Sequence, residues 1–321
     1  MVETAVTTAL HEECPLRREG ALGVHSLDHF RLAVPDLGEA RDFFSAFGLD
    51  VRATGGGLDL HAEGGPHRWA TLVEGSHKRL HSVSFGAFAE DLHALRARLV
   101  SLDIEWQGAS SEDSIWLRDP AGNLIEIRAA GRAAPREKSS YSEWPAASAL
   151  RGATSRSLAP KVRPRRLAHL ALFTPDVSRT IAFYEAALGL RLSDRSADAV
   201  AFMHAPHGSE HHLIALVRSD GPGLHHSSWD TGSVQEIGLG AMQMADAGYR
   251  LGWGLGRHVL GSNYFHYVRD PWGSYAEYSA GMDYIPADVE WVGTDQPVHD
   301  SMYLWGPSVP EDFVTNYETA R

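Results

Sequence analysis

The chain has 321 residues, 43% of them hydrophobic and nine of them Trp, enough for two domains of ordinary size with filled cores. A formal net charge of -12 offers no basic face to phosphates and argues against a nucleic-acid partner. The one cysteine, Cys14, excludes an intramolecular disulfide framework and fits a reducing cytoplasm. The opening residues have no basic stretch followed by an apolar one and are not expected to act as a secretory signal, and no apolar run is long enough to span a bilayer, so no membrane partner is expected.

In chain order, residues 1–24 read as an N-terminal tail, followed by a pattern that occurs twice. Leu27-Asp-His-Phe-Arg-Leu-Ala-Val-Pro-Asp36 matches Leu167-Ala-His-Leu-Ala-Leu-Phe-Thr-Pro-Asp176 at a fixed offset. Each match is a strand that leads into a helix, Ala40–Leu49 or Ile181–Leu190, with Gly48 or Gly189 placed to end it in a left-handed turn. Strand-like segments follow, such as Trp69–Val73 and His212–Val217. Each copy closes on a turn and a strand, Arg118-Asp-Pro-Ala-Gly-Asn-Leu-Ile-Glu-Ile127 and Arg269-Asp-Pro-Trp-Gly-Ser-Tyr-Ala-Glu-Tyr278. Within each copy a second unit begins, near Leu80 with helix Ala89–Leu99 and near Leu224 with helix Val234–Ala247. The expected class is α+β, with two domains at 25–131 and 165–282. Each holds two units of one strand, a helix and further strands, paired into a cupped sheet. Residues 132–164, rich in Ala, Ser, Arg and Pro, read as a solvated linker. Residues 283–321, with Trp291, Tyr303, Trp305 and Phe313 among prolines, form a tail that is either a cover for the second cup or an edge-packing segment.

Glu277 stands seven residues after Asp270, near the end of the last strand. His169 and the pair His225-His226 lie on strands far upstream. Taken singly, a strand histidine is usually a packed core residue, and Glu277 could simply pair with an arginine. Together they have the composition of a facial triad, two imidazoles and one carboxylate with three positions left open on a divalent metal. A carboxylate at the bottom of a cup also needs a compensating charge.

The stretch Gly256-Arg-His-Val-Leu-Gly-Ser-Asn-Tyr-Phe-His-Tyr-Val-Arg-Asp-Pro-Trp-Gly-Ser-Tyr-Ala-Glu277 resembles the signature of the type I extradiol ring-cleaving dioxygenases of the vicinal oxygen chelate superfamily. The resemblance covers about residues 25–285, and His266 before the signature tyrosine is its visible departure. It implies βαβββ units in a glyoxalase/bleomycin-resistance/extradiol dioxygenase fold. It also implies that His169, His226 and Glu277 bind Fe(II), with Mn(II) an alternative, and that His225 is a packing or supporting residue. His212 then matches the acid–base histidine, and His258 and Tyr267 match the groups that hydrogen-bond the substrate. The implied partners are a catechol-type aromatic diol and dioxygen, and the implied assembly is a cytoplasmic homo-oligomer. A keto-acid dioxygenase, an isomerase or a non-enzymatic binding protein of this fold remain the competing readings. In the first copy His29, His81 and Glu126 echo the triad. Alignment puts Ser82 at the second ligand position, Trp116 at the tyrosine and Arg68 at the acid–base histidine, so this domain is expected to be a scaffold.

Overall fold

In the computed structural model, which describes residues 17–106, 111–142, 148–149 and 151–319, the sequence repeat becomes two mixed β-sheets. The first half runs β1 (Ser26–Val34), α1 (Leu37–Phe47), β2 (Asp50–Thr54), β3 (Gly57–His61), β4 (Arg68–Glu74), β5 (Arg79–Ala87), α2 (Leu92–Ser101), β6 (Ser114–Arg118) and β7 (Leu124–Ala129). The second runs β8 (Arg166–Thr174), α3 (Val177–Phe183), β9 (Arg191–Ser196), β10 (Val200–His204), β11 (Ser209–Glu210), β12 (Ile214–Arg218), β13 (Gly223–Asp230), α4 (Val234–Asp246), β14 (Gly252–Arg257), β15 (Tyr264–Arg269), β16 (Tyr275–Ala280) and β17 (Tyr284–Ile285).

The strand orders are β2-β3-β4-β1-β5-β7-β6 and β14-β15-β16-β13-β8-β12-β10-β9, while β11 and β17 pair separately. Read in reverse, the second order matches the first, with β14 added at one edge. At the equivalent place in the first half, the described residues hold an isolated pairing of Trp106 with Leu117. Among the described residues, that unit has two full strands after its helix. Cys14 and most of the expected N-terminal tail lie outside the described residues.

Local chemistry explains the repeated elements. In α1, Ala40, Phe43, Phe44 and Phe47 recur at helical spacing and are buried, and the Asp36 carboxylate accepts the Glu39 N–H at 2.9 Å. Gly48 ends the helix at φ 102°, where a Cβ would lie 2.1 Å from the Val162 carbonyl oxygen, so only glycine fits. In the second copy Asp176 caps α3 in the same way through Arg179 N–H, and the helix widens into a π-turn at Tyr184–Leu188 before Gly189. Both Asp-Pro-x-Gly runs are turns held by their aspartates. Asp119 Oδ1 accepts from Ala121 and Asn123 N–H, and Asp270 Oδ1 from Trp272 and Ser274 N–H, at 2.9–3.0 Å. These turns fix the phase in which β7 and β16 begin.

The two halves share one continuous apolar core. Tyr278 of β16 stacks on Phe47 of α1 at 3.9 Å between centroids and donates its hydroxyl to the Phe47 carbonyl. Tyr184 donates to Asp119 across the same junction. The stretch expected as a solvated linker is anchored at several points. Val162 is buried, Tyr141 stacks on Tyr264, and Arg132 donates to the His207 carbonyl at 2.8 Å. Its few apolar and cationic side chains find rings and carbonyls at the junction, which composition alone does not reveal. Among the described residues no helix is long and apolar enough to cross a membrane.

Burial holds three histidines near the junction neutral, lowering His25 and His207 to about 4 and His204 to about 3. The unfolded chain takes up these protons below about pH 6.5 and the folded chain does not. Their stabilisation is therefore complete above that pH and is lost as pH falls toward 4. We expect urea stability at pH 5 to be lower than at pH 7, on the order of 2 kcal/mol per histidine. A flat profile between those values would contradict the burial assigned to them.

Candidate active site and metal centre

β16, β13 and β8 are neighbours near the middle of the second sheet. Ser228 of β13 pairs with His169 on one side and Glu277 on the other, and His226 lies two residues earlier on the same strand. Their side chains converge. His169 Nε2 is 3.0 Å from His226 Nε2, and Glu277 Oε2 is 3.3 Å from the first and 3.6 Å from the second. All three residues are buried, and they are the one group of three metal-type side chains found to converge among the described residues.

The donors fit a divalent cation. Glu277 Oε2 is buried without a hydrogen-bond partner and faces the two imidazoles. Burial opposes its charge, yet the facing His169 and His258 nitrogens outweigh that and hold the carboxyl well below the usual carboxylate range. Donors in adjacent positions of an octahedral ion with bonds of about 2.1 Å stand about 3.0 Å apart. The two Nε2 atoms have that separation.

His225 supplies a second argument. Neighbours on a regular strand face opposite ways, but the pairing of β13 with β8 shifts register between Leu224 and His226. This bulge brings His225 Nδ1 to 2.6 Å from His226 Nδ1, while His225 Nε2 lies 2.9 Å from the Phe313 carbonyl oxygen. A carbonyl only accepts, so the proton of His225 sits on Nε2, and burial keeps the ring neutral by lowering it to about 4. Its bare Nδ1 then accepts from His226 Nδ1, which leaves His226 Nε2 with a free lone pair toward the centre. Burial holds His226 neutral as well.

The other three expected site residues surround this centre. His212 precedes β12 instead of lying within it, and its ring packs 4.1 Å from that of His169. It is buried, not exposed, and burial with the adjacent His169 holds it well below its usual value. His258 donates from Nδ1 to the Met302 carbonyl at 2.7 Å, and its Nε2 lies 3.0 Å from the Tyr267 hydroxyl and 3.8 Å from Glu277 Oε1. Burial and Glu277 raise the Tyr267 hydroxyl well above its usual range. Together these groups line a cavity of about 120 Å³ whose walls include Ala171, Val200, Phe202, Leu260, Met302 and Phe313.

Sequence reasoning missed Asn263. Its amide donates to Ser279 Oγ at 2.9 Å and to Glu277 Oε1 at 3.4 Å, and it lines the cavity. It lies inside the Gly256–Glu277 stretch, where position was the available signal. In the first sheet the register is the same, since His29 and Glu126 both pair with Ser84 and Trp116 pairs with Glu126. The chemistry differs. His29 bonds Asp28 and Ser84, Ser84 donates to Glu126, Ser82 takes the place of His226, and His81 is exposed. His29, His81 and Glu126 do not converge as a metal site.

Residues 166–278 match the Glyoxalase/Bleomycin resistance protein/Dioxygenase superfamily. Over 298 residues the chain is 50% identical to Metapyrocatechase 2 of Cupriavidus necator, spanning 92% of this chain and 93% of that one. The chain belongs to the type I extradiol ring-cleaving dioxygenases. A Biphenyl-2,3-diol 1,2-dioxygenase of Metapseudomonas furukawaii is 30% identical over 147 residues, 44% of this chain and 46% of its own. An extradiol ring-cleaving dioxygenase structure from B. fuscum aligns with TM-score 0.73 at 23% identity, over 95% of this chain and 85% of that chain. The Mn(II)-bound glyoxalase from Novosphingobium aromaticivorans aligns with TM-score 0.72 at 22% identity, over 90% and 93%. At these identities the solved structures share the fold.

Glu277→Ala is expected to fold and to lose most bound metal, as measured by metal analysis of the purified protein. His226→Ala should do the same, whereas His225→Ala should retain metal with weakened affinity, within the roughly 10–100-fold that a supporting partner contributes. Full occupancy in Glu277→Ala would remove this ligand set.

Proposed function

We propose that the concave face of the second sheet opens the ring of a catechol-type diol beside its two hydroxyls, using dioxygen. His169, His226 and Glu277 would hold Fe(II), with Mn(II) accommodated by the same donors. The observation that carries this reading is the convergence of two buried imidazoles and a fully buried carboxylate in an apolar cavity. The whole-length likeness to Metapyrocatechase 2 supports it. In the same reading residues 25–131 are a scaffold domain, 165–282 the catalytic domain, and 283–321 a cover. The cover is supported by Met302 and Phe313, which reach the cavity from the tail.

When bound, the ion supplies Lewis-acid and one-electron chemistry that activates the diol and holds it beside dioxygen. The protein does the rest. Tyr267 and His258 hydrogen-bond the substrate oxygens and set the ring's orientation. His212 accepts a proton from a substrate hydroxyl at Nε2 and later returns it to an oxygen of the cleaved dioxygen. Phe202, Leu260 and Phe313 exclude water. No Lys or Arg is among the residues that line the cavity, which favours an uncharged, single-ring diol with small apolar substituents. The single cysteine supports a cytoplasmic setting, and exposed Val292, Leu304 and Trp305 on the tail support a homo-oligomer.

His212→Asn should keep its metal and still bind a catechol, while ring cleavage slows by roughly two to four orders of magnitude. Oxygen uptake with product analysis checks this, and normal turnover would remove His212 from the mechanism. A methyl-substituted catechol should exceed a carboxylated one in kcat/KM by roughly two orders of magnitude or more, because the described cavity lining holds no Lys or Arg to pair with a carboxylate. Equal values would contradict the uncharged wall. After metal removal, greater recovery with Mn(II) than with Fe(II) would reverse the metal assignment.

A further inference from the structure

Behind His212 lies a buried chain of three side chains. His211 Nδ1 is 3.0 Å from His212 Nδ1, and His211 Nε2 is 2.6 Å from Asp194 Oδ2. Asp194, on β9, is itself fixed through its other oxygen. Oδ1 accepts from both the backbone N–H and the hydroxyl of Thr294 in the C-terminal tail, each at 2.6 Å. Trp291 of the same segment packs edge-on against the His211 ring at 5.6 Å. His211 is fully buried and Asp194 nearly so, and neither was singled out by the sequence.

We propose that Asp194 and His211 are positioning residues that set the tautomer and orientation of His212. This rests on the reading of His212 as the acid–base group. Asp194 Oδ2 only accepts, so a neutral His211 carries its one proton on Nε2 and presents a bare Nδ1. That nitrogen accepts from His212 Nδ1, which leaves His212 Nε2 unprotonated toward the cavity that His212 lines. A bare Nε2 is what a group needs to take a proton from a substrate hydroxyl. Once that proton has arrived, Asp194 lies along the chain to balance the charge through His211. The logic is that of an aspartate holding a catalytic histidine in the correct tautomer, extended by one imidazole.

The Thr294 contacts make the chain testable by an isosteric change. In Asp194→Asn the Thr294 N–H, a fixed donor, keeps the amide oxygen at the Oδ1 position. The amide NH2 then faces His211 Nε2 and donates to it. His211 must move its proton to Nδ1 and donate to His212 Nδ1, so the His212 proton shifts to Nε2, the wrong tautomer for accepting another.

The experiment compares Asp194→Asn, His212→Asn and the double variant as metal-loaded enzymes with catechol under oxygen. Asp194→Asn should retain metal content and catechol affinity while kcat falls roughly ten- to a thousandfold, within the reach of one misplaced proton-transfer group. In the His212→Asn background the same change should have no further effect. Nitrogen-15 NMR of the histidines, with a diamagnetic divalent ion bound, should show the His212 proton on Nδ1 in the parent and on Nε2 in Asp194→Asn. If Asp194→Asn folds poorly, His211→Gln, which interrupts the chain at its middle, carries the same kinetic comparison. Unchanged kcat in these variants with an impaired His212→Asn would overturn the proposal and leave the acid–base reading standing. Equal losses with and without His212 would also overturn it, because they would mark a merely structural role. Normal turnover in His212→Asn would instead overturn the acid–base reading itself.

Discussion

A carboxylate with no exposed surface, facing two buried imidazoles, is the constraint on which the second half of this protein turns. Burial opposes the charge of Glu277, and its Oε2, which faces the two imidazoles, has no hydrogen-bond partner. A divalent cation resolves this, and the strands are arranged to admit one. The requirement reaches into the backbone. Ser228 must pair with both His169 and Glu277, with His226 two residues earlier on the same strand, or the three donors would not share one face. The Asp270 turn, which starts β16 in the right phase, serves the same end.

Histidines work in pairs at this centre. His225 orients His226, and His211 stands behind His212 in a similar way, with the chain neighbour in each case bonding through Nδ1 to Nδ1. Each pair ends on an acceptor that fixes its protons, the Phe313 carbonyl in one and the Asp194 carboxylate in the other. The C-terminal tail touches both, through Phe313 and through Thr294. It also anchors itself at the junction of the halves through Glu318, which pairs with buried Lys78 and accepts from Leu80 and Leu224 N–H. The tail is thus part of the site's hydrogen bonding as well as its wall.

The first sheet shows what the same backbone does without that constraint. His29, Ser84 and Glu126 occupy the register of His169, Ser228 and Glu277, but Asp28 and Ser84 satisfy the imidazole and Ser84 satisfies the carboxylate. Polar groups that bond one another need no cation. The surroundings of this half also reach the active half indirectly, because Phe47 packs on Tyr278, the residue next to Glu277.

The sequence by itself determined the repeat, the α+β class and the elements that carry the site. Those features are written in local chemistry: alternation in the strands, apolar spacing in the helices, capping aspartates, Gly48, and the Asp-Pro-x-Gly turns. The signature around Tyr267 and Glu277 was legible for the same reason, since its residues lie within one short stretch and one hairpin. What only the tertiary structure decided depends on contacts between distant segments. Periodicity alone put His225 and His226 on opposite faces, and the bulge in the pairing with β8 overrode it. Asp194, His211 and Asn263 have no marking in composition or spacing; they matter because folding places their polar atoms beside His212 and Glu277. The anchoring of residues 132–164 was likewise invisible, because a Pro-rich segment reads as solvated until the surface that receives it has formed.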